Sequence, residues 1–464
     1  MTAPSRLESS QQRRFSPLQD VWFPSTLLKQ GTLAEYLEFA ESLRTRSISE
    51  EDWDRYRLRR LREMLEQALS GSSFYRTHLG EISPHNFRLE DLAKLPFTNK
   101  PYLNGHGKTM YAQPFSTGGV YFATSDRGEP EAAPRSWLES VAAATNMATN
   151  LGDAIARNVL PHEPVAALLF SPGLDGLAET FADAWRSLGV AHARCWLSHE
   201  TGLNRAREMI EHTGANIIVA STTALADLWV ADRASGRPTI TKSGQIRLLL
   251  VAGREATCSS LLQQLSEAYG DVACFSGAYG GIEMPVAGST CGFGNKHIAK
   301  QNFIAEILDV ATGRMAAPGS PGELVLTSLV PGVRPLVRYR TGDVVSLRPS
   351  DCLCENKADV MINHGRLADM IFFNGKRWFL RDIEERIVTS TRSLCDFRLF
   401  VTKQDAKDVL LIEVEQHAID GGVQANEAQL TMQLGGAVRF VRKAAPAHIL
   451  AGHHSRPARV EDRR

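Results

Sequence analysis

No run of about 18 apolar residues occurs in the 464-residue chain, so no segment reads as a membrane span. A charge surplus is missing as well: 52 Lys and Arg stand against 52 Asp and Glu, for a formal net charge of zero. Without excess positive charge there is no counterion release to drive general nucleic-acid binding. Residues 1–19 are polar and lack the apolar stretch of a secretory signal. Cysteines number seven, odd and thinly spread. That excludes a disulfide framework and makes a reducing cytoplasm the expected compartment. Cys195, Cys258, Cys274 and Cys395 stand alone and are expected as small buried hydrophobes. Glycine and proline, 36 and 21, follow no collagen-like period.

Hydrophobic residues make up 43% and charged residues 22%, enough apolar surface to rule out a disordered chain. At roughly 100–200 residues per domain, the length predicts two to four folding units. Residues 1–50 give few firm signals. From Ser49 an acidic start leads into a helix whose Trp53, Tyr56, Leu61, Met64, Leu65 and Ala68 share one face. Between about 135 and 280, apolar runs (165–170, 216–221, 246–253) alternate with amphipathic helical stretches (136–151, 177–189, 225–234). That alternation implies crossover connections and parallel strands covered on both faces. After about 300, strands broken by Gly/Pro turns suit antiparallel pairing. Asn374-Gly375 is a hairpin turn signal, followed by a helix over 381–390 and two more strands. No internal repeat is present. The fold class expected is α/β: a large N-terminal domain of several subdomains with parallel sheets, 1–366, and a small C-terminal α+β domain, 367–464.

Three motifs carry chemistry in order. They are Ala278-Tyr279-Gly280-Gly281-Ile282-Glu283, Arg338-Tyr339-Arg340-Thr341-Gly342-Asp343, and Gly365-Arg366-Leu367-Ala368-Asp369 before the hairpin. Each is weak alone, but the set resembles the adenylate-forming superfamily of acyl- and aryl-CoA ligases and peptide-synthetase adenylation domains. Residues 72–76, 92–100 and 118–125 narrow the resemblance to its phenylacetate-CoA ligase-like branch, over about residues 50–464. The resemblance implies that a carboxylate attacks the α-phosphate of ATP. An acyl-adenylate and pyrophosphate form, and a thiol or amine then takes the acyl group. It implies that Tyr279 stacks on adenine, Glu283 holds Mg²⁺ beside the phosphates, Asp343 accepts from the ribose hydroxyls and Arg366 contacts ribose or phosphate. A carboxylate is a pure acceptor for two hydroxyls, and oxygen ligands suit Mg²⁺. The implied partners are an aromatic or other organic acid and an acceptor that is CoA, a carrier protein or an amine. A homodimer is the expected assembly.

Three positions depart from the family's pattern. Its phosphate loop is rich in Gly, Ser and Thr, so that backbone N–H groups cradle pyrophosphate. Thr124, Ser125 and Gly128 keep that character, but Asp126-Arg127 stand in the middle. At ~4 Å and an effective dielectric of ~20, a carboxylate facing a phosphate charge costs about 4 kcal/mol. A competing register uses Ser116-Thr117-Gly118-Gly119 as the loop. The family's tail lysine corresponds to Arg456, with Lys443 as the substitute if the register slips. Arginine keeps the charge but presents a planar fork. Ala368 occupies the usual hinge position. The leading expectation is a ligase that makes an acyl-AMP, in specialised metabolism. The rival is a divergent homologue that no longer adenylates and serves as an acyl-transfer or condensation enzyme or a silent biosynthetic partner. A pure binding module is a third class.

Cys291, His297, Cys352 and Cys354 form C-x5-H and C-x-C halves. Thiolates with an imidazole are the donors tetrahedral Zn²⁺ selects. Either the halves meet as one structural zinc site, as in some relatives of this branch, or they are two unrelated cysteine clusters. Gly253, Gly277 and Ala278 leave room for a bulky acid, near Arg254 and Glu255. His453 and His454, in a polar tail, are expected to be solvated.

Overall fold

The structure, a computed structural model, describes residues 31–45, 48–114, 118–124, 130–170, 175–197, 202–234, 240–241, 243–252, 258–281, 283–284, 286–354, 356–392, 397–415, 423–443 and 460–464. Helix α1 (Gly31–Thr45) precedes α2 (Glu50–Gly71). Ser49 caps α2 by accepting from Asp52 N at 3.1 Å, and Glu50, Glu51 and Asp52 complement the positive end of the helix. The apolar face read from the sequence is the buried one. Helix α1 had no clear signal of its own. It is held by tertiary contacts: Tyr36 donates to Asn302 Oδ1 at 2.6 Å, and Phe39 stacks on Tyr56. The chain continues through α3 (Ser73–His78), β1 (Thr98–Asn99) and α4 (Lys100–His106).

Strands β2 (Gly118–Thr124) and β3 (Pro130–Ser136) form an antiparallel hairpin in register from Gly118↔Ser136 to Thr124↔Pro130. Gly118 and Gly119 therefore lie within a strand. Helix α5 (Trp137–Asn158) opens with a capping box: Ser136 Oγ accepts from Glu139 N, and Glu139 Oε2 accepts from Ser136 N at 2.6 Å. Glu139 also accepts from Val333 N at 3.3 Å. Burial pushes the Glu139 carboxyl up to about 7, against the pull of the Ser136 hydrogen bonds. An acid whose folded pKa lies above its unfolded value stabilises the fold most when protonated. Its contribution is present below about pH 4.5 and is lost as pH rises through 7. The expected result is a decline of up to about 3 kcal/mol across that window. Glu139→Gln should flatten it in denaturant titrations at pH 5 and 7.5.

Strands β4 (Val165–Phe170), β5 (Ala191–Trp196), β6 (Ile217–Ala220), β7 (Leu248–Val251) and β8 (Ala273–Ser276) make a parallel sheet in the order β5-β4-β6-β7-β8. Helices α6 (Asp175–Ser187), α7 (Gly202–Thr213), α8 (Thr222–Ala234) and α9 (Ser259–Ala268) connect them. The alternation seen in the sequence is this sheet. Cys258 is buried, but Cys195 and Cys274 are only half-buried, contrary to expectation. They lie on β5 and β8, the two edge strands, which among the described residues have no strand of this sheet on one flank. Cys395 lies outside the described residues.

The other large sheet is antiparallel, as the Gly/Pro-broken strands after about 300 suggest, and it reaches back to residue 278. It joins β9 (Ala278–Tyr279), β10 (Gly288–Thr290), β11 (Lys296–Ile298), β12 (Phe303–Leu308), β13 (Gly322–Ser328), β14 (Tyr339–Arg348) and β15 (Val360–Arg366) in antiparallel pairs, with β1 alone parallel on β14. Beyond Arg366 follow the hairpin β16 (Ile371–Phe373) and β17 (Lys376–Trp378), α10 (Leu380–Thr391), β18 (Phe397–Gln404) and β19 (Lys407–Glu415), then α11 (Val423–Leu434), β20 (Ala437–Lys443) and β21 (Val460–Asp462). Asn374 and Gly375, at φ +48° and +73°, make the hairpin turn as the sequence predicts. The apolar core of this lobe also takes in Cys258 and Leu261 of the α9 region. No described helix is long and apolar enough to cross a membrane.

Candidate active site

Tyr279 ends β9, directly after the last parallel strand. Its ring is 6% exposed, and its hydroxyl donates to Asp343 Oδ2 at 2.7 Å. Burial, and next the Asp343 charge, push this phenol well above its usual pKa, so it stays protonated and serves as a donor. Asp343 sits on β14 opposite Arg366 of β15, and Arg366 Nε lies 3.7 Å from Asp343 Oδ1. Gly342 at φ +74° lets β14 bend just before Asp343, whose own N–H donates to Thr341 Oγ1 at 3.1 Å. A carboxylate has about four lone-pair sites, and Tyr279 takes one of them.

Glu283 is oriented by a second tyrosine. Tyr339, fully buried, donates to Glu283 Oε1 at 2.9 Å. The carboxylate folds over Gly281, where a Cβ would stand 2.9 Å from Glu283 Oε2. A buried cation that sequence reasoning missed completes this corner. Arg135, at 7% exposure, donates through Nη1 to Thr180 Oγ1 at 3.3 Å and through Nη2 to the Gly281 carbonyl at 3.2 Å. Nothing local marks Arg135; only the packing of β3 against the Gly280-Gly281 turn gives it this position.

The structure thus brings together Tyr279, Asp343 and Arg366, and fixes Glu283 through Tyr339. Ser125, Asp126, Arg127, Gly128 and Arg456 lie outside the described residues. Thr124 ends β2 and Lys443 ends β20, but their side chains are outside the description too.

The two cysteine halves meet. Ligand atoms of Cys291, His297, Cys352 and Cys354 all lie within 4.8 Å of one another, and all four residues are buried. Cys291 directly follows β10 and His297 lies on β11; Cys352 and Cys354 come from the connection between β14 and β15. Cys291 Sγ and Cys352 Sγ are 3.7 Å apart. That is too far for a disulfide. It matches the edge of a tetrahedron with metal–sulfur bonds of about 2.3 Å. Cys354 Sγ is 3.2 Å from His297 Nε2, and His297 Nδ1 faces the Ala358 carbonyl at 2.8 Å. A proton on Nδ1 leaves Nε2 as the ligand atom. A hydrogen bond with Cys354, and after it one with His297, holds the Cys291 thiol well below its usual value. Helix α5 braces the cluster: Asn150 Nδ2 donates to Ser289 O at 3.0 Å, and Asp153 Oδ2 accepts from Gly292 N at 2.8 Å.

No family model matches the chain. The phenylacetate-coenzyme A ligase of Thermus thermophilus is 25% identical over 370 residues, covering 77% of this chain and 80% of that enzyme. That of Pseudomonas putida is 25% identical over 403 residues, covering 82% and 86%. That of Aromatoleum evansii is 33% identical over 118 residues, 25% of this chain and 26% of the enzyme. Among solved structures, 2-hydroxyisobutyryl-CoA ligase in its postadenylation state superposes with a TM-score of 0.76 at 17% identity, over 90% of this chain and 91% of that one. The same ligase in its thioesterification state gives 0.62 at 18% identity, over 89% and 90%. The fold is shared across nearly the whole chain.

Proposed function

We propose that this chain, which has the fold of the adenylate-forming ligases and sequence similarity to phenylacetate-CoA ligases, activates an organic acid as an acyl-adenylate and passes the acyl group on. The acid's carboxylate oxygen attacks the α-phosphorus of ATP, the bond to pyrophosphate breaks, and acyl-AMP forms. A thiol or amine then attacks the acyl carbonyl and AMP leaves. Aromatic acids head the candidate substrates, and CoA, a carrier protein or an amine is the acceptor.

The observation that carries this reading is the Asp343 carboxylate, held by Tyr279 on one side and flanked by Arg366 on the other. In that position it accepts from the ribose hydroxyls while the Tyr279 ring walls the adenine side. Glu283 is the residue that would hold Mg²⁺, which supplies charge neutralisation at the phosphates. Tyr339 keeps the Glu283 carboxylate aimed. Arg135 adds positive charge beside Gly281, and Arg456 or Lys443 adds it from the C-terminal segment. Residues 367–464 serve as a lid on the large domain.

The Cys291–His297–Cys352–Cys354 cluster is read as a structural zinc site, since thiolates and one imidazole at tetrahedral spacing suit that ion and no fifth donor belongs to it among the described residues. It staples the connection between β14, which carries Asp343, and β15, which carries Arg366.

Exchange of labelled pyrophosphate into ATP, run with a panel of acids, tests the reading; acid-dependent exchange is expected. ATP binding without exchange on any acid would leave the homologue that no longer adenylates. Tyr339→Phe removes one hydrogen bond to a charged group, worth about 1.5–3 kcal/mol. The Mg²⁺ concentration for half-maximal exchange should then rise about tenfold, with the melting temperature little changed. An unchanged Mg²⁺ dependence would remove Tyr339 from this role.

A further inference from the structure

The lid is held to the large domain by a contact that the reading above does not use. Helix α9 opens at Ser259, and Cys258, at its N-cap position, gives it no side-chain cap. The N–H groups of its first turn, which have no partner within the helix, are met from the other lobe. Glu385 of α10 accepts from Ser259 N, from Ser260 N at 2.8 Å and from Ser260 Oγ. Its charge lies at the positive end of the α9 dipole. Around this cap, Ser260 Oγ and Thr389 Oγ1 are 2.9 Å apart, Gln264 Nε2 donates to the Val388 carbonyl at 2.9 Å, and Arg381 Nη2 donates to Ser259 Oγ at 3.1 Å. Charge-assisted bonds to one helix start carry direction as well as energy, so they fix where α10 lies on α9.

The start of α10 reaches the strand end that carries Arg366. Pairing of β14 with β15 passes from Val344↔Gly365 to Val345↔Asn363, which leaves His364 as the extra residue of a β-bulge, next to Gly365 at φ +109°. Each residue of the bulge meets the lid. Arg381 Nη1 donates to the Asn363 carbonyl at 3.3 Å, the His364 ring centre lies 5.3 Å from that of Phe379, and a Cβ on Gly365 would stand 3.8 Å from Leu380 Cβ. His364 Nε2 is also 3.0 Å from Ser346 Oγ of β14. The next residue is Arg366, opposite Asp343. A bulge sets the direction of the strand beyond it, so whatever clamps this bulge aims Arg366.

We propose that Glu385 is a positioning residue for nucleotide binding: it caps α9 across the lobe boundary, and the docked α10 then holds the 363–365 bulge so that Arg366 stays beside Asp343. The assignment rests on the reading of Asp343 and Arg366 as the grip on adenosine, and it adds a residue that acts only through others. Coupling between two sites is reciprocal, so bound nucleotide tightens the cap in turn.

Two measurements on the full chain test it: calorimetry with ATP and AMP, and hydrogen exchange at the Ser259 and Ser260 amides. They are made on the wild type, Glu385→Gln, Glu385→Asp and Arg392→Gln. Glutamine removes the charge and turns an N–H toward the α9 donors in place of one acceptor oxygen. Arg392, just past α10, pairs with Glu267 of α9 at 3.0 Å, but in solvent, where an ion pair contributes little. In the wild type both amides should be protected, and ATP should slow their exchange further. Glu385→Gln should lose that protection and bind both nucleotides about tenfold more weakly, the scale of one hydrogen bond to a charged group. Glu385→Asp should recover part of the affinity, and Arg392→Gln should match the wild type within about twofold. Near-UV circular dichroism shows whether each variant is folded. If Glu385→Gln is not, Ser260→Ala, which deletes one of the three bonds, should give a smaller shift in the same direction. Wild-type affinity in the folded variant, an equal loss in Arg392→Gln, or amides indifferent to ATP overturns the proposal. A wild type that binds neither nucleotide overturns the adenosine reading and the coupling with it. Loss confined to Glu385→Gln in a wild type that does bind leaves both standing.

Discussion

Asp343→Asn should weaken ATP and AMP binding about a hundredfold while the protein stays folded. Hydrogen bonds to a charged acceptor contribute about 1.5–3 kcal/mol each, and a hundredfold corresponds to about 2.7 kcal/mol. Asparagine keeps an oxygen for the Tyr279 hydroxyl, so the buried phenol is not left unsatisfied. Alanine would strand it, and lost binding could then reflect damage to the fold. Tyr279→Phe leaves the charge of Asp343 in place and removes only its tether, so it should cost about tenfold. Calorimetry on the three proteins checks the order, with thermal melts as the control. If Asp343→Asn binds ATP as the wild type does, the pairing of Tyr279 with Asp343 is part of the core and not a grip on adenosine.

The second large effect concerns the cysteine–histidine cluster. Metal analysis should return about one zinc per chain. Cys352→Ser should lose the metal and lower the melting temperature by about 10 °C, as expected for several kcal/mol in a large protein. The same variant should weaken nucleotide binding although it touches no nucleotide, because the connection it loosens joins the strands of Asp343 and Arg366. A metal-free protein whose Cys291, Cys352 and Cys354 alkylate readily would end the zinc reading.

Much of the architecture was legible because it is local. Periodicity at 165–170, 177–189 and 216–221 marks strand, helix and strand whatever the rest of the chain does. Asn374-Gly375 marks its hairpin because few other residues adopt two successive positive φ angles at low cost. Helix α1 and the unit of α11 and β20 were not legible. Leu430 and Leu434 of α11 are buried by the lobe's core, a gain that appears only once the sheet exists. The half-burial of Cys195 and Cys274 depends on strand order, which periodicity does not encode.

At the site, the sequence by itself determined the residue types: a tyrosine and a glutamate in one motif, an aspartate in the next, an arginine in the third, and thiols with an imidazole at unequal spacing. These follow from chemistry, since charge, acceptor capacity and ligand softness belong to the side chain. The tertiary structure alone decided which groups meet. Tyr279 reaches Asp343, Tyr339 reaches Glu283, the two cysteine halves close on one another, and Arg381 of α10 reaches Ser259 at the start of α9. Those meetings depend on sheet pairing and on how the lobes dock, and such long-range contacts leave no periodic trace in the chain.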